Sequence, residues 1–377
     1  MTAPSLPDTA MNLGSRIGRY FSVVSILPAL FLSAWTFFLI ESGAWWGPPS
    51  LGRLAHELTT VKVSDVAWLL LGTVLVALFL HPLQLAMTKI LEGYWGSSRI
   101  AVALLRRRIT HHRKRFERLL ARRDELEQRR NRVLTKLLVG RYLRALADDP
   151  ATAQDPIKWD PEQLKRELEN LMFSTEAHRA SGTHAAMASI PALLAHYPDP
   201  DRMMPTRLGN TLRSAEDSIG RQYALDAVRT TPYIALIAPE THLSYLQDAR
   251  QQLDTSVRLC VVALLVTAET VGFLCTDGWW LLTALGPYFL AYIAYRASIA
   301  AAAEYMEMVR TVLDLNRFKL YESLHLEQPG DTEAERANNV KLMDLLAGDD
   351  EANLSYVHPV AGTPSTGDSA STPPKTP

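Results

Sequence analysis

The chain is almost without cysteine: of 377 residues, only Cys260 and Cys275 carry a thiol. Both fall in one apolar run. On a helix rising about 1.5 Å per residue they stand roughly 22 Å apart, beyond the ~7 Å that a disulfide spans. Two buried free thiols are expected, with no disulfide framework. There is also no glycine-rich phosphate loop, Gly-x-Ser-x-Gly elbow or His-Glu-x-x-His pair. His111 and His112 are neighbours that point apart on a helix, and His184, His196 and His242 lack zinc-ligand spacing. Glu216 and Asp217 sit beside Arg213 and Arg221, which reads as ion pairing rather than acid–base chemistry. No catalytic residue, cofactor or metal is expected, and the chain reads as a non-enzyme.

What is present is apolar length. Runs at residues 20–40, 66–91, 257–275 and 279–301 each approach or exceed the roughly 20 residues that cross about 30 Å of hydrocarbon. The first follows Arg16 and Arg19 and ends at Glu41 without a small-residue cleavage site, so it reads as an uncleaved span. His81-Pro82 interrupts the second, where proline frees a backbone carbonyl. Thr276-Asp277-Gly278 is a tight-turn sequence that makes the last two runs a hairpin. Arg and Lys crowd residues 16–19, 99–115 and 296–319 and are missing from 276–278. By the positive-inside rule both termini and the central loop are cytoplasmic. Trp45, Trp46, Trp68, Trp279 and Trp280 then form an outer aromatic belt, and Tyr94 with Trp95 marks the inner face.

The net charge of −1 conceals a strong asymmetry. Arg99 to Arg144 holds sixteen basic residues against four acids, a local charge of +12 that leaves −13 elsewhere. This stretch lacks proline, and a heptad test gives one seam of Leu105, His112, Leu119, Leu126 and Val133. The second seam, Ile109, Phe116, Arg123, Arg130 and Leu137, is broken by charge. A self-sufficient coiled coil wants both seams apolar. A basic stalk packed on another helix of the same chain is therefore expected.

Further on, Asp160-Pro161-Glu162-Gln163 is a helix start, with Leu164, Leu168, Leu171 and Met172 forming an apolar face. Residues 185–195 read as a buried helix. Leu208, Leu212, Ala215 and Ile219 share helical spacing, and Gly209 would let another backbone come close. Thr230-Thr231-Pro232 reads as a break. Helices starting at Pro239-Glu240 and continuing past Ala301 extend the third and fourth runs into the cytoplasm, and residues 331–347 form one more helix.

The fold class is an all-α membrane protein, four transmembrane helices with long helical cytoplasmic extensions forming a bundle. Its parts are a disordered N-terminus (1–15), transmembrane helices 1 and 2 (16–95), a cytoplasmic helical domain with the basic stalk (96–255), a transmembrane hairpin (256–302), C-terminal cytoplasmic helices (303–350) and a disordered tail (351–377).

Three patches add a resemblance. Leu91-Glu92-Gly93-Tyr94-Trp95-Gly96, then Pro205-Thr206-Arg207-Leu208-Gly209-Asn210 with Glu216 and Tyr223-Ala224-Leu225-Asp226, and finally residues 314–321 (Asp-Leu-Asn-Arg-Phe-Lys-Leu-Tyr) resemble a group of uncharacterised bacterial integral membrane proteins. The resemblance implies a multi-span protein and no assigned activity. This chain carries Ala224 where that pattern has glycine.

Three sets of residues are candidate sites. Glu269 and His81 are polar groups inside apolar runs, an ion or proton path by default. Arg106, Arg107, Arg108, Arg113, Lys114 and Arg115 are placed to meet anionic lipid headgroups. Nucleic acid is a poor fit, because no aromatic stacking platform accompanies the charge. Pro205, Thr206, Arg207, Gly209 and Asn210 form a structural or partner-facing joint. The leading functional expectation is a bacterial inner-membrane scaffold that binds a protein partner or its own copies. The alternatives are an oligomeric channel or transporter using Glu269, and a membrane enzyme acting on lipid.

Overall fold

The computed structural model describes residues 23–60, 62–148, 166, 169–170, 184–349 and 353–357. Every regular element among them is helical; the sole β feature is an isolated bridge, Leu326 to Tyr356. The order is α1 (Val23–Glu41), α2 (Leu51–Thr59), α3 (Val63–Leu80), α4 (Gln84–Glu92), α5 (Arg99–Asp148), α6 (His184–Leu194), α7 (Arg207–Ser218), α8 (Ala227–Ile237), α9 (Glu240–Leu274), α10 (Leu285–Ser323) and α11 (Thr332–Ala347). The termini, the 160–165 helix start with Leu168, Leu171 and Met172, and the tail from residue 358 lie outside the described residues.

The described residues divide into two compact units, one from Met1–Ala215 and Asp248–Met306, the other from Glu216–Gln247 and Glu307–Pro377. In the first, α1 runs along α3. Ala29, Leu80, Met87, Leu208, Val257, Val262, Val266 and Ala301 close one core, so side chains from every apolar run and from α7 meet there. At the opposite end Leu39, Ala44 and Leu274 make a smaller cluster, beside which the Trp45 ring stacks on Phe273 at 4.8 Å.

Two helices are long and apolar enough to cross a membrane, Val63–Leu80 and Glu240–Leu274. Only 11 % of the first is buried. Leu70, Leu71, Val74, Leu75, Leu78 and Phe79 stay exposed on it. A core helix of a globular protein covers such a surface, whereas a lipid-facing helix leaves it bare. The second run is shorter than its apolar stretch: α3 stops at Leu80, His81 and Pro82 make a turn, and α4 resumes at Gln84. The fourth opens as a 3₁₀ segment, Gly278–Ala284, before α10 begins.

Several sequence readings need correction. Pro232 does not break its segment but lies inside α8. Asp226 caps that helix by accepting from the Val228 and Arg229 amides, and proline removes one backbone donor from an otherwise secured helix. Residues 184–194 are helical, but those described from 187 to 194 are mostly exposed, with Ile190 the buried side chain among them. Alanine and serine cover little area, so only the edge turned toward α5 is closed off. Cys260 is buried, but Cys275 is exposed at the end of its run.

Candidate functional site

The patches around Glu92 and Thr206 meet. α4 ends at Gly93, whose φ of +113° is a left-handed cap that L side chains rarely adopt. A Cβ there would collide with the Pro205 ring. The Thr206 hydroxyl donates to the Glu92 carbonyl at 2.8 Å and accepts the Gly209 amide at 3.0 Å. Gly209 lies so close to that carbonyl that any Cβ would fall within 3.0 Å of its oxygen. Asn210, almost fully buried, accepts from the Met204 amide at 2.8 Å and donates to the Met204 and Thr206 carbonyls at 2.9 and 2.7 Å. The Arg207 amide donates to the Tyr295 hydroxyl at 3.1 Å, and the Arg213 guanidinium donates to the Tyr94 hydroxyl at 3.2 Å. This joint therefore ties the base of α4, the start of α7 and α10 together. Its polar atoms are spent on one another, which suits holding helices rather than reacting.

The Tyr223–Asp226 part of the second patch and the third patch, residues 314–321, meet in the second unit. Arg317 pairs with buried Glu335 at 2.7 Å, lies 4.2 Å above the Tyr223 ring, and donates to the Asp314 carbonyl. The Tyr321 hydroxyl, its pKa raised to about 12 chiefly by burial, donates to Asn339 at 2.6 Å, and Asn339 donates to the Tyr223 carbonyl at 2.8 Å. Between the patches, Ala224 sits at φ +58°. A left-handed non-glycine residue costs about 1–2 kcal/mol. Ala224→Gly is expected to stabilise the protein by about 1 kcal/mol, the relief of that strain less glycine's unfolded-state entropy. A higher melting temperature in detergent checks this; an unchanged or lower one contradicts it.

Glu269 and His81 are not brought together. Glu269 accepts from the Thr36 hydroxyl at 3.1 Å, beside a Trp35 indole donating to Thr270 at 2.8 Å. It lines an open crevice of about 590 Å³ with Thr36, Glu41, Asp65, Trp68 and Leu265. His81 is exposed at the α3–α4 turn and is not part of that lining.

On α5, Arg106, Arg107, Arg108, Arg113 and Lys114 are exposed and Arg115 is half-buried. Arg113 donates to the Pro200 carbonyl at 3.0 Å. The first heptad seam turns inward: His112 and Leu126 are buried, and Leu105, Leu119 and Val133 are half-buried. His112 Nδ1 lies 3.5 Å from the Tyr197 hydroxyl, and its Nε2 has no hydrogen-bond partner among the described residues. Burial first, then Arg108, His111, Arg115 and Arg207, lowers its pKa from 6.5 to about 4. The unfolded chain thus takes up this proton before the folded one. Stability from His112 is complete above pH 6.5 and is lost as the pH falls toward 4. Melting curves between these limits should slope downward on acidification, and His112→Leu should flatten the slope. A slope unchanged by the variant contradicts this.

The sequence missed Tyr295, Tyr94 with Arg213, and Glu335. Each is a polar side chain with no local signal that names its partner, even where, as for Tyr94, the stretch itself was singled out. The inward seam position of His112 was the one available signal, since a titratable residue at a core position asks for a partner. Comparison with family models, curated proteins and solved structures returned no match. The resemblance seen in the patches therefore rests on those residues alone.

Proposed function

We propose that the protein is a multi-span bacterial inner-membrane scaffold, with four membrane helices and both termini in the cytoplasm, that binds a protein partner or further copies of itself through its cytoplasmic helices. The carrying observation is the apolar and aromatic surface left open in the second unit. Val228 and Leu236, two turns apart on α8, are 59 % and 86 % exposed, and Tyr245 and Leu315 are similarly open. Exposed side chains of this kind, outside the apolar runs, would supply a protein contact where they gather into one patch. The two joints support the reading, because they spend their polar groups on fixing helices. The test is the mass of the complex purified in mild detergent. A stoichiometric assembly is expected, dispersed by Leu236→Glu with Val228→Glu while membrane insertion is retained. A single chain of unchanged mass in both forms refutes the scaffold.

The crevice at Glu269 favours a second reading, an oligomeric channel or transporter. A carboxylate held by a hydroxyl in an apolar setting is a candidate ion or proton relay. Reconstituted flux abolished by Glu269→Gln supports it; flux indifferent to that change removes Glu269 from any path.

A further inference from the structure

Where α5, the 193–197 segment and α7 meet in the first unit, they enclose a small cavity of about 30 Å³, lined by Arg115, His196, Tyr197, Arg207, Asn210 and Thr211. That volume admits about one water-sized group. Arg115 and Arg207, both half-buried, line it, and neither has a side-chain ion pair among the described residues. The charges acting on Tyr197 are these same two arginines, and those acting on neighbouring His112 are all positive. Like charges gathered in a partly desolvated place are costly unless an anion joins them. The neutral polar groups are already committed: Asn210 is used within the joint, and the Thr211 hydroxyl donates to the Arg207 carbonyl at 3.0 Å and lies 3.4 Å from His196 Nδ1. The two arginine side chains are left to serve a ligand, and the Tyr197 hydroxyl, 3.5 Å from His112 Nδ1, can accept from that nitrogen and still donate its own proton to one.

We infer that this pocket binds the oxyanion of a phosphate group, one oxygen entering the cavity and the remainder held at its mouth by the two guanidinium forks. Arginine forks match phosphate geometry, and a phosphate oxygen accepts readily from a tyrosine hydroxyl. Ile299, which also lines the pocket, lies two residues before the inner end of the fourth apolar run. On the membrane reading above, the site stands at headgroup depth, so a phospholipid headgroup and free phosphate are the two sources of the same chemistry. The site does not depend on the scaffold reading, because its test reads ligand binding and not assembly.

The experiment uses the full chain in neutral detergent, titrated with inorganic phosphate against chloride at matched ionic strength. In parallel, it is placed in nanodiscs of phosphatidylcholine alone or with phosphatidic acid added. A rise in melting temperature of about 5 °C at saturation is expected from one source. A rise with inorganic phosphate identifies a soluble ligand; a rise only with phosphatidic acid identifies the headgroup. Arg115→Gln and Arg207→Gln should each abolish the rise, Tyr197→Phe should weaken it about tenfold in concentration, and Arg107→Gln, on the exposed face, should keep it in full. No rise from either source, or an equal rise in wild type and Tyr197→Phe as well as both arginine variants, overturns the site.

Discussion

Gly209→Ala is expected to destabilise the protein by about 3 kcal/mol or more, the upper range for forcing atoms into a filled space. In an open helix the same change stabilises by about 0.5–1 kcal/mol, because alanine is the better helix former. Here the added methyl meets the Glu92 carbonyl oxygen, a backbone atom that no side-chain rotation can move aside. Relief requires parting α7 from α4, which also breaks the bond from Thr206 to that carbonyl and disturbs the one from Arg207 to Tyr295. Gly140→Ala is the reference, since nothing described lies within 4 Å of a Cβ there. The check is the melting temperature of both purified variants: the first well below wild type, the second equal to or above it. A Gly209→Ala protein as stable as wild type would show that the two backbones do not touch.

Arg317→Met should cost about 3–5 kcal/mol, the usual penalty for stranding one member of a buried ion pair. The side chains of Arg317 and Glu335 are 17 % and 3 % exposed, so the abandoned carboxylate cannot turn to water. The cation also leaves the Tyr223 ring and the Asp314 carbonyl. Pairing it with Glu335→Leu should restore most of the loss, because replacing both partners by apolar groups removes the uncompensated charge. The measurement is a double-mutant cycle on thermal or denaturant stability. A double variant no better than Arg317→Met alone would mean that the pair is not what holds α10 to α11.

The helices were legible because their signals are local. The heptad arithmetic picked out the seam from Leu105 to Val133, which is the inward face of α5. The helix over 331–347 and the extensions of α9 and α10 followed from apolar spacing, whereas the Asp226 and Asp331 caps came from the structure alone. Pro232 misled because one missing donor is a small charge against a helix already capped and packed. The His81-Pro82 pair acted as expected of proline, ending α3 one turn before α4 resumes.

The joints were only half legible. Gly209 was flagged as a place of close approach, and the structure sets the Glu92 carbonyl against it. Nothing in the sequence named Glu92 as the neighbour, because the pairing spans more than a hundred positions and leaves no periodicity. Arg317 is likewise unmarked by periodicity, its partners Tyr223 and Glu335 lying on either side of it in the chain. Ala224 is the converse: the departure from glycine in a familiar patch coincides with a strained left-handed residue.

The clasp between Thr206 and Glu92 also has a consequence for synthesis. Its two halves are separated by 114 residues. A ribosome adding about 5–20 residues per second makes the second half roughly 6–23 s after the first. Throughout that interval the Glu92 carbonyl waits without its native donor while the leading apolar helices are already made. Closure is therefore a late event in the life of the nascent chain, and any polypeptide released before codon 206 leaves its first helices unfastened.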